Sequence, residues 1–287
     1  MKALKVLFSM ILSVSVLITS ACSELDVSTV TDESAVTGEL SVHFIDVGQG
    51  DATYIKTATG ENIVIDAGNK GKGDTVVEYL KTQNVNTIDV LISTHPDADH
   101  VGGLDEVVNS FPVKNVYAPK VSHTTQAYKD FLTAVKKQNV KIKTAKAGVE
   151  LPLEGVKARF VGPTKEYSKS DLNNYSAVLH MTYKNNTFLF TGDAETRAEM
   201  DMLDANTLSK VDVLKVSHHG ALEATNEEFL NVTRPSYGII SVGDNNRYGH
   251  PTSETLARLK KSGVKTYRTD ELGTIVVTSD GTNILVK

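Results

Sequence analysis

Thr94-His95-Pro96-Asp97-Ala98-Asp99-His100-Val101-Gly102-Gly103 packs two imidazoles and two carboxylates into six consecutive residues, 95 to 100. The run before it, Ile88-Asp89-Val90-Leu91-Ile92-Ser93, has the length and branched content of a buried strand, so the polar residues fall on the turn where that strand ends. Strand ends are where α/β proteins place their chemistry. Imidazole and carboxylate together suit zinc, manganese or iron. His95 and Asp97 cannot share one ion with Asp99 and His100 without crowding, which predicts two ions side by side. Gly102 and Gly103 let the backbone pass close beneath. A helix cap at Asp99 would use one carboxylate and neither histidine, so capping alone does not account for the stretch.

The 287 residues carry a net charge of -5 and a single cysteine, which excludes an internal disulfide. Lys2 and Lys5 precede an apolar run from Val6 to Ile18 that ends in Thr19-Ser20-Ala21-Cys22. This reads as a secretion signal over residues 1–22, too short to remain as a membrane-spanning helix. Its small residues before cysteine resemble a bacterial lipoprotein signal, with cleavage before Cys22 and lipid on its sulfur. Residues 23–39 are rich in Ser, Thr, Asp and Glu and read as a flexible tether. Residues 40–287 fall within the range of one large α/β domain, with no low-complexity break and no tandem repeat.

That domain opens with strands at 40–46, 51–56 and 62–66, an antiparallel meander, followed by a helix over 75–83 and the strand feeding His95. A helix to about Asn109, a strand over 113–117, an amphipathic helix over 126–138 and strands near 141–144 and 156–161 come next. A hairpin across Lys184-Asn185-Asn186 then ends in Thr191-Gly192-Asp193. The apolar runs 211–216 and 237–242 end in Ser217-His218-His219-Gly220 and in a loop reaching His250, with helices at 195–204, 226–232 and 253–262 between. Eight lysines between 114 and 146 face one acid, Asp130. Such a strip can follow a phosphate backbone, and a solvated helix face produces the same count.

Asp193 has the chemistry to bridge two cations, and His219 to complete the second ion's shell, with His218 as a further ligand or as a donor behind one. Two cations about 4 Å apart make hydroxide available at neutral pH and steady the charge on an ester or phosphoryl oxygen, so hydrolysis is the expected reaction. Neither a nucleophile-elbow serine motif nor a phosphate-cradling glycine loop is present.

The order of these motifs resembles the metallo-β-lactamase superfamily, with its His-x-His-x-Asp-His signature, third histidine, bridging aspartate and last histidine. More narrowly, Phe44-Ile-Asp-Val-Gly-Gln-Gly-Asp-Ala52, the Ser93–Gly103 stretch, Thr191-Gly-Asp193, Lys215-Val-Ser-His-His-Gly220 and Asn246-Arg-Tyr-Gly-His-Pro251 are similar to the metallo-hydrolase domain of ComEC, the competence DNA-uptake channel. The resemblance implies an αββα sandwich and metal-dependent phosphodiester hydrolysis. Its metal set is His95, Asp97, Asp99, His100, Asp193 and His219, holding two divalent ions, zinc or manganese. Asp97 stands where the superfamily has its second histidine, which favours a harder ion. No histidine fills the third motif; Asn174, or a water it holds, is expected there. His250 is carried over as the residue contacting the substrate phosphate or leaving oxygen, and Asp99, His250 and Asn174 are the expected catalytic residues. Asp46, Gln49 and Asp51 brace the site or form turns. With no channel region, the chain is not expected to conduct DNA itself.

The resulting expectation is a secreted or lipid-anchored two-metal phosphodiesterase or nuclease at the bacterial cell surface, acting on DNA or another phosphodiester. β-Lactam or lactone hydrolysis on the same fold, and a non-catalytic DNA-binding surface protein, are the alternatives. The net charge disfavours broad affinity for polyanions, so a small phosphodiester or nucleotide also fits.

Overall fold

The expected meander forms as β1 (Leu40–Phe44), β2 (Thr53–Lys56) and β3 (Asn62–Ile65), all antiparallel. The computed structural model describes residues 38–287; the expected leader, Cys22 and nearly all of the tether lie outside the described residues. After α1 (Gly73–Thr82) the chain adds β4 (Ile88–Ile92) parallel to β3, so the meander gives way to βα alternation. The short helices α2 (Ala98–Val101) and α3 (Leu104–Ser110) lead into β5 (Val113–Ala118), α4 (Gln126–Lys137) and the edge strand β6 (Ile142–Thr144). Between α2 and α3 the backbone approach is as close as the two glycines predict. A methyl on Gly102 would meet the Ala98 carbonyl and the Lys70 amide, and one on Gly103 the Ala67 carbonyl.

The second half begins with β7 (Lys157–Gly162), β8 (Val178–Tyr183) and β9 (Asn186–Phe190). Asn186, expected in the hairpin turn, already pairs with Tyr183, and Lys184 carries the left-handed turn conformation at φ 50°. Next come α5 (Thr196–Asp204), β10 (Val213–Lys215), α6 (Glu227–Thr233), β11 (Tyr237–Ile240), α7 (Ser253–Lys261) and β12 (Lys265–Arg268). The turn α8 (Thr269–Leu272) returns the chain to the first sheet as β13 (Ile275–Ser279) and β14 (Ile284–Val286).

Two sheets result, ordered β14-β13-β1-β2-β3-β4-β5-β6 and β12-β11-β10-β9-β8-β7. Strand periodicity decides how they stack. Val90 and Ile92 of β4 and Phe44 of β1 point to a core shared with Leu179, Phe188 and Phe190 of the other sheet, where Phe44 and Phe190 stack at 6.2 Å. Leu91, Tyr54 and Val64 point outward to α1, α3 and α4. Leu189, Leu214 and Ile240 do the same toward α5, α6 and α7. The αββα sandwich is therefore the observed fold, and strands covered on both faces explain the unbroken apolar runs. No helix of the described residues is long and apolar enough to cross a membrane.

Candidate metal centre

Side chains from the ends of β3, β4, β9 and β10 meet at one place, because β3 runs parallel to β4 and β9 parallel to β10. Each ring is oriented by a bond to its far nitrogen. Asp66, just beyond β3, accepts from His100 Nδ1 at 2.9 Å, and from Thr94 through its amide at 2.8 Å and its hydroxyl at 2.5 Å. Thr94 Oγ1, having given its proton to Asp66, lies 3.2 Å from His95 Nδ1 and can accept from it. His219 donates from Nδ1 to the Ser241 carbonyl at 2.8 Å. These bonds leave the Nε2 atoms of His95, His100 and His219 pointing inward, buried and without a hydrogen-bond partner, like Asp193 Oδ1.

Asp193 is held by its amide on the Ser176 hydroxyl at 3.0 Å. Its Oδ2 lies 3.1 Å from His100 Nε2, 3.4 Å from His219, 3.6 Å from His218 and 4.0 Å from His95. Asp99 Oδ2 is 3.5 Å from His219 Nε2, and Asp97 Oδ2 is 3.6 Å from His95 Nε2. One grouping, Asp99, His100, Asp193 and His219, has its ligand atoms within 4.8 Å of one another. Beside it, His95 Nε2 approaches both Asp97 Oδ2 and the same Asp193 oxygen.

The donor set fits divalent metal ions: inward, unpartnered nitrogens and oxygens in a buried nest are costly unless a cation takes them up. The charge balance points the same way. Burial works against charge on His100 and His219, yet Asp193 and its neighbouring carboxylates hold both well above the ordinary imidazole range. Burial likewise opposes charge on Asp193, and the surrounding imidazoles hold it well below the ordinary carboxylate range. The nest thus draws positive charge.

Behind it sits a cation of the protein's own. Lys215 is 2% exposed, with Nζ 2.5 Å from Asp51 Oδ2. Asp51 Oδ1 is 3.4 Å from His219 Nδ1, so this carboxylate braces the rings from behind. The turn after β10 carries three successive residues in the left-handed region, His218 (φ 49°), His219 (φ 53°) and Gly220 (φ 82°), held by His218 N donating to the Gly192 carbonyl at 3.1 Å. Two non-glycine residues there store backbone strain, which is typical of functional turns.

The structure thus gathers His95, Asp97, Asp99, His100, Asp193 and His219. His218 also borders the cluster, with Nδ1 3.5 Å from Glu195 Oε1. His250 reaches the wall of a cavity of about 130 Å³ over the cluster, its ring 5.4 Å from that of His218 and its Nδ1 without a partner. Asn174 does not take the place expected of it. Its amide nitrogen donates to Asp171 and Glu195, and its oxygen accepts from the amides of Glu195 and Ala198, so it caps α5 and offers the ions nothing. Asn173, its neighbour, lines the cavity instead, its amide held by Glu195 at 2.7 Å. Asp46 is a turn former that accepts from the Gly48 amide, whereas Gln49 lines the cavity.

The sequence reading gives Asp66, Lys215 and Ser176 no role in the site. A carboxylate ending β3, next to the strand that delivers His95, was the available signal for Asp66. Nothing local marks Lys215 or Ser176. Several lysines of the basic segment have local explanations. Lys114 pairs with Asp89 and Lys120 with Glu166, while Lys129, Lys136 and Lys137 occupy the exposed face of α4.

The chain belongs to the metallo-β-lactamase superfamily, whose signature matches residues 45–244. Among its relatives are the ComE operon protein 3 of Bacillus subtilis, 31% identical over 257 residues, covering 84% of this chain and 33% of that one. The Recombination protein 2 of Haemophilus influenzae is 31% identical over 225 residues, covering 77% and 26%. The chain therefore spans a third or less of the length of these relatives, and the resemblance to the hydrolase domain of competence proteins holds. The metallo-β-lactamase fold protein YhfI of Bacillus subtilis shares the fold, with a TM-score of 0.57 at 10% identity over 84% of this chain and all of that one.

Proposed function

We propose that this chain is a two-metal phosphodiesterase acting on nucleic acid or nucleotides. The observation that carries the reading is the convergence of three unpartnered Nε2 atoms on Asp193 beneath an open cavity. Asp99, His100, Asp193 and His219 would hold one ion, and His95 and Asp97 a second with Asp193 between them. When bound, such ions activate water and offset charge on phosphoryl oxygens. Burial and the neighbouring imidazoles lower the His250 pKa, so its ring is neutral at neutral pH and has one N–H to give. From the cavity wall it meets a phosphoryl or leaving oxygen. Asn173 and Gln49 position the ester from the same cavity.

Asp97 and the absence of a third-motif histidine harden the His95 and Asp97 site and favour manganese, which supports a phosphodiester over a lactam. Kinship with ComE operon protein 3 and with a protein named for recombination supports nucleic acid as the substrate class. The same reading makes residues 40–287 the hydrolase and places it outside the membrane, carried on the 23–39 tether with lipid on Cys22. Loss of palmitate labelling in Cys22→Ala tests that placement.

Incubation with single- and double-stranded DNA and with bis(p-nitrophenyl) phosphate, in manganese or zinc and then in chelator, tests the chemistry, with nitrocefin separating the lactamase reading. Chelator-sensitive phosphodiester cleavage is expected, lowered roughly 100-fold or more in Asp193→Asn and His100→Ala. Absence of metal-dependent cleavage, or wild-type rates in both variants, defeats the proposal.

A further inference from the structure

The small cavity over the metal cluster opens beside a wider chamber of about 540 Å³, and Gln49, Asp97, Asp99 and Tyr248 line both. Asp97 and Asp99 belong to the ion site. The rest of the chamber has a different chemistry: the Tyr248 ring, the Arg247 guanidinium and the side-chain amides of Gln49 and Asn69. Tyr248 is 52% exposed, among the most exposed large apolar-bodied side chains of the described residues.

Its loop is nonetheless pinned. Asn246 Oδ1 accepts from the amides of Tyr248 and His250 at 3.2 and 3.0 Å, and Asn246 Nδ2 donates to the carbonyls of Gly243 and His250 at 3.0 and 2.6 Å. The ring leans over His250 at 5.8 Å and 25°, joining the aromatic row that ends at the metal cluster. A large ring exposed to water on a pinned loop, at the mouth of a hydrolytic cavity, calls for a flat partner.

The polar groups around it are open as well. Gln49 uses Oε1 on the Gly243 amide at 3.3 Å, leaving its NH₂ free, and Asn69 uses its NH₂ on the Gln49 carbonyl at 2.9 Å, leaving its oxygen free. Arg247 spends one N–H on the Tyr248 hydroxyl at 2.8 Å, its guanidinium carbon 4.9 Å from the ring centroid. It is exposed, so a flat group enters over the ring by displacing that side chain alone. An inorganic phosphate or a simple ester would leave the ring and both amides unused, whereas a nucleobase offers a π face together with donors and acceptors on its edge. A net charge of -5 disfavours broad long-range attraction of a nucleic acid, which leaves local contacts such as stacking to supply affinity.

We infer that the chamber is a nucleoside subsite, in which Tyr248 stacks a base next to the phosphodiester over the metal cluster and Arg247 takes the adjoining phosphate. The inference rests on the phosphodiesterase reading for its meaning, but its test needs no hydrolysis.

The probe is a fluorescein-labelled single-stranded DNA octamer and the same backbone made abasic, titrated by anisotropy in chelator at low salt. The proteins are the full chain, Tyr248→Phe, Tyr248→Ala and Arg247→Ala. The wild type should favour the base-bearing strand by roughly tenfold or more. Tyr248→Phe should keep that ratio and Tyr248→Ala bring it near one, while Arg247→Ala weakens both strands alike and lowers the salt slope by about one. A wild-type ratio near one, an unchanged ratio in Tyr248→Ala, or no binding of either strand overturns the subsite. Failure of the phosphodiesterase reading shows separately, as absent cleavage of the base-free nitrophenyl ester.

Discussion

The Nδ1 proton of His100 goes to Asp66, and that bond decides which ring nitrogen faces Asp193. Asp66→Asn replaces one acceptor oxygen by an NH₂, which accepts from neither Thr94 Oγ1 nor His100 and, if flipped, faces the Thr94 amide instead, so the ring loses its fixed tautomer. Metal affinity should fall roughly 10- to 100-fold while the circular dichroism stays that of the wild type. Competition with a chromophoric chelator reads the affinity, and an unchanged constant would mean that Asp66 does not orient the ring. The contrast with His95, Asp97, Asp99 and His100 shows what sequence can carry at this scale. Those four are legible because they are contiguous and chemically redundant for anything but a cation. Asp66 becomes meaningful only through the parallel register of β3 on β4, Ile65 beside Ile92, which no local pattern encodes. Lys215 is hidden for a related reason, since a lysine inside an apolar strand signals nothing until Asp51 is found against it.

Helix α5 begins without a cap from its own residue Glu195, and the oxygen of Asn174 fills that role by accepting from the amides of Glu195 and Ala198 at 3.3 and 3.0 Å. Helix starts leave such donors orphaned, so removing the acceptor costs stability rather than a ligand. Asn174→Ala should lower the unfolding free energy in urea by about 1–2 kcal/mol while the bound-metal count is unchanged. Lost metal at unchanged stability would instead return Asn174 to the ion site. Longer elements were readable from apolar periodicity, and most strands lie within a residue or two of where the pattern puts them. The short ones were not. Residues 98–101 form a helical turn out of the metal motif itself, and residues 173–175 a tight 3₁₀ turn, where a single residue of rotation exchanges a cap for a cavity wall. Consecutive left-handed histidines at 218 and 219 had no sequence signature either, since histidine enters that region more readily than most non-glycine residues but still only in a small minority of cases.

The sandwich places a buried titratable group in each outer layer, and the two respond to acid in opposite directions. His43, 6% exposed between Tyr79 of α1 and Ser41, has its pKa lowered to about 4 by burial, aided by Lys56. Glu199 of α5, fully buried against the amides of Thr225 and Asn226, is raised by burial to about 7 even though those amides favour its charge. Below an ordinary histidine pKa of 6.5 the unfolded chain binds a proton that folded His43 refuses until about pH 4, so its stabilisation is present above 6.5 and is lost as pH falls to 4. Glu199 does the reverse. Its folded form keeps a proton that the unfolded chain releases above an ordinary 4.5, so that stabilisation is present below 4.5 and is lost as pH rises through 7. Each displacement corresponds to about 3 kcal/mol, so between pH 4.5 and 6.5 the two slopes nearly cancel in the wild type. Urea unfolding in chelator across this window should separate them. Relative to wild type, His43→Gln gains stability as pH falls and Glu199→Gln loses it, whatever fixed packing cost each substitution adds. Three parallel curves would show that neither group is displaced, and a shared slope in both variants would trace the pH response to carboxylates elsewhere.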